Sequence, residues 1–150
     1  MKYSEEAAFA KLAAQCSAAE CCTNDIENKM RRWEMDEASS KKIIQRLLDE
    51  HFIDNTRYCR AFIKDKIMFN RWGRRKIEEA LYAKHIPKDI STPIFEEFDE
   101  ENYLNTLRDL LVARGRTIKA KDDYDMRNKL IRFALQRGFS MGDILSVIDD

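Results

Sequence analysis

The stretch NRWGRRKIEEAL, residues 70–81, lies near the middle of the chain and decides how its helices are divided. Trp72 and Gly73 interrupt one helical pattern of apolar residues, and a second pattern begins directly after them. The second pattern opens with three cations, Arg74, Arg75 and Lys76. The N-terminus of a helix is already positive and favours acids, so these cations need a partner that offsets their charge. An external anion is the simplest such partner, and we therefore predict a contact site at this helix start.

The composition is typical of a globular, helix-rich protein. Of 150 residues, 44% are hydrophobic and 36% are charged, with only four glycines and two prolines. Lys+Arg and Asp+Glu number 27 each, so the net charge indicates no partner. The N-terminal segment carries acids where a signal peptide would be apolar, and no apolar run approaches the length of a membrane span. We predict a cytoplasmic protein that does not associate with membranes.

The sequence contains no recognisable catalytic or metal-binding motif. The four cysteines, Cys16, Cys21, Cys22 and Cys59, include no CxxC pair and have no nearby histidine, which favours reduced structural thiols over metal ligands. Phosphate loops, HExxH motifs and nucleophile elbows are absent from the sequence. The basic loop at residues 113–119 could bind phosphate, but it has one glycine and no helix signal directly after it. We predict no enzymatic activity, no cofactor and no metal.

Apolar residues recur with a helical period throughout, which predicts an all-α chain of about nine short helices. One spacing, four residues and then five, occurs three times, and its first members lie 51 and 53 residues apart: Ile26-Met30-Met35, Ile77-Leu81-Ile86 and Leu130-Ala134-Phe139. The alternative is a chance match, because any helical protein contains such pairs. We predict three tandem three-helix repeats, at about residues 1–53, 54–98 and 99–150, stacked in an elongated or crescent array.

Local signals predict where some helices begin and bend. Thr23 or Asn24 is expected to cap the second helix, and Asp54 or Asn55 is expected to cap the fourth. Pro93 is expected to bend or restart the sixth helix, because proline lacks an N–H group and clashes with the preceding turn.

Charge is segregated along the chain although its sum is zero. Residues 57–88 hold ten cations and three acids, net +7; residues 89–110 hold one cation and seven acids, net −6; residues 114–137 hold eight cations and three acids, net +5. Basic blocks favour contact with phosphate or an acidic protein surface. The alternative for any single charge is a solvated pair such as Arg74 with Glu78. The predicted contact residues are Arg57, Arg60, Lys64, Lys66, Arg71, Arg74, Arg75, Lys76, Arg114, Arg116, Lys119 and Lys121.

Two segments resemble the signature of the RecX family, bacterial regulatory proteins of the RecA recombinase. They are FIDNTRYCRAFI, residues 52–63, and WGRRKIEEALYAKHI, residues 72–86, and the resemblance is most specific over about residues 43–90. The chain departs from the family pattern at four positions: His51 and His85 replace glycine, Asn55 replaces aspartate, and Cys59 replaces alanine. The two histidines lie where the family's glycines make left-handed turns, a conformation that histidine tolerates better than most residues.

The resemblance implies a modular protein of three tandem three-helix repeats that binds within the groove of the recombinase–DNA filament. It would act as a monomer that limits filament growth, ATP turnover and strand exchange. The signature residues expected to maintain the fold are Asp54, Tyr58, Phe62, Trp72, Gly73, Ile77 and Leu81. The competing interpretation is a free-standing helical DNA-binding protein. The two differ in whether function requires the recombinase or only nucleic acid.

The sequence also leads to an expectation for charge reversal. Replacing Arg74 and Arg75 by glutamate should hold or slightly raise thermal stability, because acids near a helix N-terminus contribute about 0.3–1 kcal/mol each. Partner binding should weaken at the same time. Thermal melting and a binding assay of the double variant measure the two effects separately.

Overall fold

The computed structural model describes residues 3–149, and within this range the chain forms nine α-helices and no strand. The predicted all-α fold is confirmed. The outermost positions of the predicted first and third repeats, residues 1–2 and 150, lie outside the described residues. The helices are α1 (Glu5–Ala18), α2 (Thr23–Arg32), α3 (Glu37–Asp49), α4 (Asn55–Met68), α5 (Arg74–Ala83), α6 (Lys88–Glu96), α7 (Glu100–Gly115), α8 (Asp123–Gln136) and α9 (Met141–Val147).

The helices pack as three consecutive groups of three, and each group surrounds a hydrophobic core of its own. Fully buried side chains are Leu12, Ile26, Met30, Ile43 and Leu47 in the first core, Ile63, Ile77, Leu81 and Ile94 in the second, and Leu107, Phe139 and Ile144 in the third. The accessible surface is 9331 Å². A compact protein of this mass would expose about 8,000 Å², and the larger value fits repeats joined in series. The repeat boundaries themselves, at 53/54 and 98/99, stay a prediction.

The middle helix of each repeat ends in the same turn, which accounts for the repeated apolar spacing. In each turn the last apolar residue of the triplet donates its N–H to the carbonyl of the second: Met35 to Met30 at 3.1 Å, Ile86 to Leu81 at 3.0 Å and Phe139 to Ala134 at 3.2 Å. The residue directly before the donor has a left-handed backbone each time, with φ of 59° at Glu34, 59° at His85 and 100° at Gly138. His51, at φ 62°, adopts the same conformation after α3. Both histidines therefore make the turns for which the RecX pattern uses glycine.

Side chains connect the first repeat to the second. The Thr23 N–H donates to Asn55 Oδ1 at 3.0 Å, and Asn55 Nδ2 donates back to Thr23 Oγ1 at 3.0 Å. The predicted cap of α2 is wrong: the helix already includes Thr23, Cys22 precedes it without a capping side chain, and the second repeat supplies the missing acceptor. Lys84, at the end of α5, pairs with Asp25 of α2 at 2.6 Å. Cys22 itself is buried in the core of the second repeat.

Backbone groups connect the second repeat to the third. Three N–H groups at the start of α5 have acceptors in the third repeat: Gly73 donates to the Arg137 carbonyl at 2.7 Å, Arg75 to the Gly138 carbonyl at 3.1 Å, and Arg74 to Tyr103 Oη at 2.9 Å. Both carbonyls directly follow α8, so the positive end of α5 meets the negative end of α8. The third repeat therefore supplies acceptors for the N–H groups of this helix start, whereas contact of its cationic side chains with an external anion stays a prediction.

Gly73 and Gly138 allow the two repeats to approach this closely. A Cβ atom on Gly73 would lie 2.3 Å from the carbonyl carbon of Gly138, which no backbone can accept. Because φ at Gly73 is −82°, the requirement for glycine there is the close approach and not a turn. Gly138 has both requirements: its φ is 100°, and an added Cβ would lie 2.6 Å from Lys76 Cβ.

The sixth helix runs through its proline. Pro93 lies inside α6, which continues without a break from Lys88 to Glu96. The expected restart of the helix is therefore wrong. Proline removes one backbone hydrogen bond, but Ile94 and Phe95 directly after it are buried in the second core, and this packing favours the continuous helix.

We predict that Gly73→Ala destabilises the chain strongly, whereas Gly115→Ala does not. Overpacking a close contact costs about 1–3 kcal/mol, and the methyl group at position 73 would meet backbone atoms that cannot move aside. Gly115 ends α7, and a methyl group added there would have nothing within 4 Å, so alanine should be neutral or stabilise by about 0.5–1 kcal/mol. Urea unfolding of both variants measures the difference. Equal urea midpoints for the two variants would contradict the close backbone contact between Gly73 and Gly138.

Burial of the thiols leads to a prediction for alkaline pH. All four cysteines are buried and unpaired, and burial raises the pKa of Cys16 to about 12 and of Cys59 to about 11, from 9.0. Since the unfolded thiols ionise first, stability should be complete below pH 9 and fall as pH rises from 9 towards 11. Tyr103, with its pKa raised to about 12, adds to the same trend. Melting temperatures between pH 8 and pH 11 test this.

The variant Cys59→Ala isolates one of these thiols. It removes a single ionisable group, so its stability should fall less steeply between pH 9 and pH 11 than that of the parent chain. If both chains lose stability equally over this range, the Cys59 thiol does not contribute.

Candidate functional site

Four of the predicted contact cations have acidic partners within the chain. The ion pairs are Arg57–Glu20 at 2.6 Å, Arg60–Glu97 at 2.9 Å, Arg74–Glu78 at 3.3 Å and Arg75–Glu79 at 2.8 Å. The i,i+4 pair expected for Arg74 is thus present. Arg57 also connects the first two repeats, because Glu20 lies between α1 and α2. As contacts for an outside partner, these four arginines stay a prediction.

The cations at the start of α5 contact the third repeat and the second core. Arg75 Nη2 donates to the Leu135 carbonyl at 2.5 Å, in the last turn of α8. The Arg74 guanidinium lies over the Phe95 ring, 4.6 Å from its centroid. The carbonyls at a helix C-terminus carry negative partial charge. The opening stretch therefore places Arg75 where the neighbouring helix end attracts it, and Arg74 over the second core.

Trp72 holds two lysines in place beside this joint. Lys66 Nζ lies 4.7 Å and Lys76 Nζ 4.6 Å from the centroid of the indole ring. The ring also packs against the second core, which agrees with a structural role for Trp72. Tryptophan is the best aromatic partner for a cation. The arrangement fixes two positive charges at the edge of the second repeat.

Phe133 holds two arginines in the same way on the third repeat. Arg114 lies 4.9 Å and Arg137 5.0 Å from the centroid of its ring. Arg137 Nη1 also donates to the Asn70 carbonyl at 3.0 Å, which connects this cluster to the loop that carries Trp72. We call the combined set the joint basic surface; it consists of Lys66, Trp72, Lys76, Arg114, Phe133 and Arg137.

The other predicted cations have no acidic partner among residues 3–149: Lys64, Arg71, Arg116, Lys119 and Lys121. Lys119 lines a cleft of about 440 Å³ together with Arg114, Thr117, Ile118, Lys129, Arg132, Phe133 and Gln136. We call it the third-repeat cleft. Lys129 and Arg132 were not among the predicted contact residues. Their i,i+3 spacing on α8 places both cations on one face of the helix, a signal that the sequence does contain.

The predicted structural residues occupy the second repeat. Asp54 Oδ1 accepts the Arg57 N–H at 2.9 Å and so caps α4 as expected. Tyr58, Ile77 and Leu81 are buried, and Phe62 stacks on Tyr58 with their ring centroids 5.8 Å apart.

Part of the acidic block stabilises helices. Asp99 caps α7 by accepting the Asn102 N–H at 3.2 Å, and Glu100 and Glu101 lie in the first turn, where the dipole favours them. Hydrogen bonding to Arg60 lowers the pKa of the Glu97 carboxyl. These acids therefore have roles within the chain, and the block does not by itself indicate a basic partner.

Comparison with known families identifies the chain. Residues 54–92 match the second three-helix domain of RecX, and residues 100–148 match the third. The chain belongs to the RecX family. The first segment covers α4, α5 and the first half of α6, and the second covers α7–α9.

Relatives and solved structures agree with this assignment. The regulatory protein RecX of Clostridium beijerinckii is 31% identical over 118 residues, 77% of this chain and 54% of the relative. That of Clostridium acetobutylicum is 28% identical over 130 residues, 84% and 60% of the two chains. The chain thus spans little more than half the length of these relatives. The crystal structure of RecX from Lactobacillus salivarius has a TM-score of 0.85 at 18% identity and covers 97% of this chain and 94% of its own.

A second solved structure, a regulatory protein RecX, has a TM-score of 0.89, also at 18% identity, and covers 97% of this chain and 73% of its own. Within residues 3–149, no helix is both long and apolar enough to cross a membrane. No group of three or more histidine, cysteine or acidic side chains in the described part of the chain could hold a metal ion.

For the charge reversal at the start of α5, the structure leads to the opposite expectation from the sequence. Arg75→Glu should lower the free energy of unfolding by about 1 kcal/mol. It loses a charged hydrogen bond worth about 1.5–3 kcal/mol, reduced here by exposure, and gains only about 0.3–1 kcal/mol at the helix start. Arg75→Gln keeps an N–H donor and should lose less. Urea unfolding measures the free energy of unfolding of both variants. An unchanged midpoint for Arg75→Glu would contradict this expectation and support the one based on the sequence.

Proposed function

We propose that this chain is a regulatory protein of a RecA-type recombinase, which binds the recombinase filament on DNA and limits its ATP turnover and strand exchange. Family membership supports the class of function, since the relatives are regulatory RecX proteins. The observation that carries the proposal to particular residues is the joint basic surface, where two aromatic rings hold four cations across the boundary between the second and third repeats.

The geometry of this surface suits a large anionic partner. Lysine and arginine side chains normally lose considerable freedom when they bind, and stacking on Trp72 and Phe133 removes part of that cost in advance. The hydrogen bond from Arg137 to the Asn70 carbonyl fixes the two clusters relative to each other. A filament offers both DNA phosphates and acidic protein groups, and fixed cations can pair with either.

The proposed action depends on binding alone. The chain would work as a monomer in the cytoplasm, without a cofactor and without a catalytic step of its own. Inhibition would follow from occupying the filament and hindering its rearrangement. Four further cations would extend the contact surface in both basic blocks. Their side chains have no acidic partner among residues 3–149: Lys64, Arg71, Arg116 and Lys121.

The test is ATP hydrolysis by the cognate recombinase on single-stranded DNA, with increasing concentrations of this chain. The wild-type chain should lower ATP turnover. The variant Lys66→Gln/Lys76→Gln should require about tenfold more protein for each lost charged contact. The control Lys42→Gln/Lys88→Gln changes the net charge equally at exposed positions away from the joint and should inhibit like wild type.

Two results would contradict the proposal. One is a wild-type chain that leaves ATP turnover and strand exchange unchanged. The other is equal inhibition by the joint variant and the wild type, which would move the contact elsewhere on the chain. A chain that binds DNA equally with and without the recombinase, and never alters its turnover, would instead support the free-standing nucleic-acid-binding protein.

A further inference from the structure

The third-repeat cleft has an excess of positive charge that the rest of the chain neutralises only in part. Four of its eight lining residues are cations and none is an acid: Arg114, Lys119, Lys129 and Arg132 line it, with Thr117, Ile118, Phe133 and Gln136 between them. The nearest acid seen to pair with the lining is Asp125, 3.2 Å from Lys129 Nζ. Concave basic surfaces concentrate the electrostatic field and attract anions.

The chain fixes two of these cations and leaves two available. Arg114 stacks on Phe133, and Lys129 Nζ donates to the Lys119 carbonyl at 2.7 Å as well as pairing with Asp125. Lys119 and Arg132 are exposed, and within the described residues neither forms an ion pair. Asp125 offsets only part of this charge. Its carboxylate pairs with Lys129 and attracts Arg132, and its pKa is lowered by the Lys121 N–H and by these two cations, so one acid faces two cations that lie at i,i+3 on α8.

The size and lining of the cleft indicate the kind of anion. Its volume of about 440 Å³ lies within the range of ligand sites and equals that of roughly fifteen water molecules. This exceeds the space that one small ion occupies. Gln136 adds a neutral hydrogen-bond donor, whereas the Thr117 hydroxyl already donates to the Arg114 carbonyl at 3.0 Å. Arg114 and Arg137 already lie at the Phe133 ring, so a base that stacked there would compete with these cations.

We propose that the third-repeat cleft binds a run of linked phosphate groups, with Lys119 and Arg132 contacting the phosphates and Arg114 and Lys129 supplying a fixed positive field. The recognition is of phosphate and not of bases. The ligand is the backbone of a nucleic acid strand or a free polyphosphate chain. This binding is a property of the chain alone and needs no recombinase, so it goes beyond the proposed function and does not depend on it.

The experiment measures binding of two probes to the full chain without recombinase. The probes are inorganic tripolyphosphate, followed by calorimetry, and a fluorescent single-stranded oligodeoxythymidylate, followed by anisotropy over a range of NaCl concentrations. The cleft variant is Lys119→Gln/Arg132→Gln, and the control is again Lys42→Gln/Lys88→Gln. All four side chains are exposed, and thermal melting verifies that both variants remain folded.

The cleft variant should weaken binding by about tenfold for each cation removed, while the control stays within about twofold of wild type. For the oligonucleotide, the dependence of log K on log salt should also flatten by about 0.7 for each lost phosphate contact. The single variant Arg132→Lys keeps the charge and should retain most of the affinity.

The two probes distinguish the sources of phosphate. Loss of oligonucleotide binding alone supports a nucleic acid backbone, and loss of tripolyphosphate binding supports a free phosphate chain. Equal weakening by the cleft variant and the control would overturn the proposal, because only net charge would then matter. A wild-type chain that binds neither probe would overturn it as well.

A parallel recombinase assay keeps the two proposals separate. If the wild-type chain fails to inhibit the recombinase but the cleft variant still binds the phosphate probes more weakly than the control, the proposed function is contradicted and the cleft proposal is supported. If inhibition is normal but phosphate binding is equal in the cleft variant and the control, the cleft proposal fails and the proposed function stands.

Discussion

The contact between the start of α5 and the end of α8 is the constraint on which the arrangement of the second and third repeats depends. Gly73 and Arg75 donate backbone N–H groups to carbonyls of the third repeat, and this is possible only because Gly73 and Gly138 lack side chains. A buried N–H group without an acceptor would be costly. The joint therefore satisfies both helix ends at once, and beside it the hydrogen bond from Arg137 to the Asn70 carbonyl connects the Phe133 cluster to the loop that carries Trp72.

The two joints have different chemistry. Between the first and second repeats, the polar contacts involve the side chains of Asn55 with Thr23, Lys84 with Asp25 and Arg57 with Glu20, and Cys22 is buried in the second core. Between the second and third, two backbone–backbone hydrogen bonds join the repeats directly, from Gly73 to Arg137 and from Arg75 to Gly138. Ion pairs of half-exposed side chains contribute modestly and depend on salt, whereas the backbone contact at Gly73 and Gly138 leaves no space for a side chain. We expect the second and third repeats to keep one relative orientation more strictly than the first and second.

The sequence predicted the helices, the repeat and the family because these depend on local patterns. Apolar spacing sets the helices, and the left-handed residue at Glu34, His85 and Gly138 sets the repeated turn. Prediction from the sequence failed where the partner of a residue is distant along the chain. Nothing near Thr23 indicates that Asn55 caps it, and nothing near Arg75 indicates that Leu135 accepts its hydrogen bond. For the same reason the cations of the opening stretch suggested an outside anion, when a carbonyl 60 residues away already attracted one of them.

The direction of these contacts has a consequence for synthesis on the ribosome. The start of α2 is completed by Asn55, and the start of α5 is completed by Arg137 and Gly138. In each case a later repeat supplies the acceptor for an earlier one. A nascent chain that ends before residue 55 carries an uncapped α2 with Cys22 outside any core, and one that ends before residue 138 carries an uncapped α5. The middle helix of each of the first two repeats therefore gains the acceptors for its N-terminal N–H groups only after the following repeat has been synthesised.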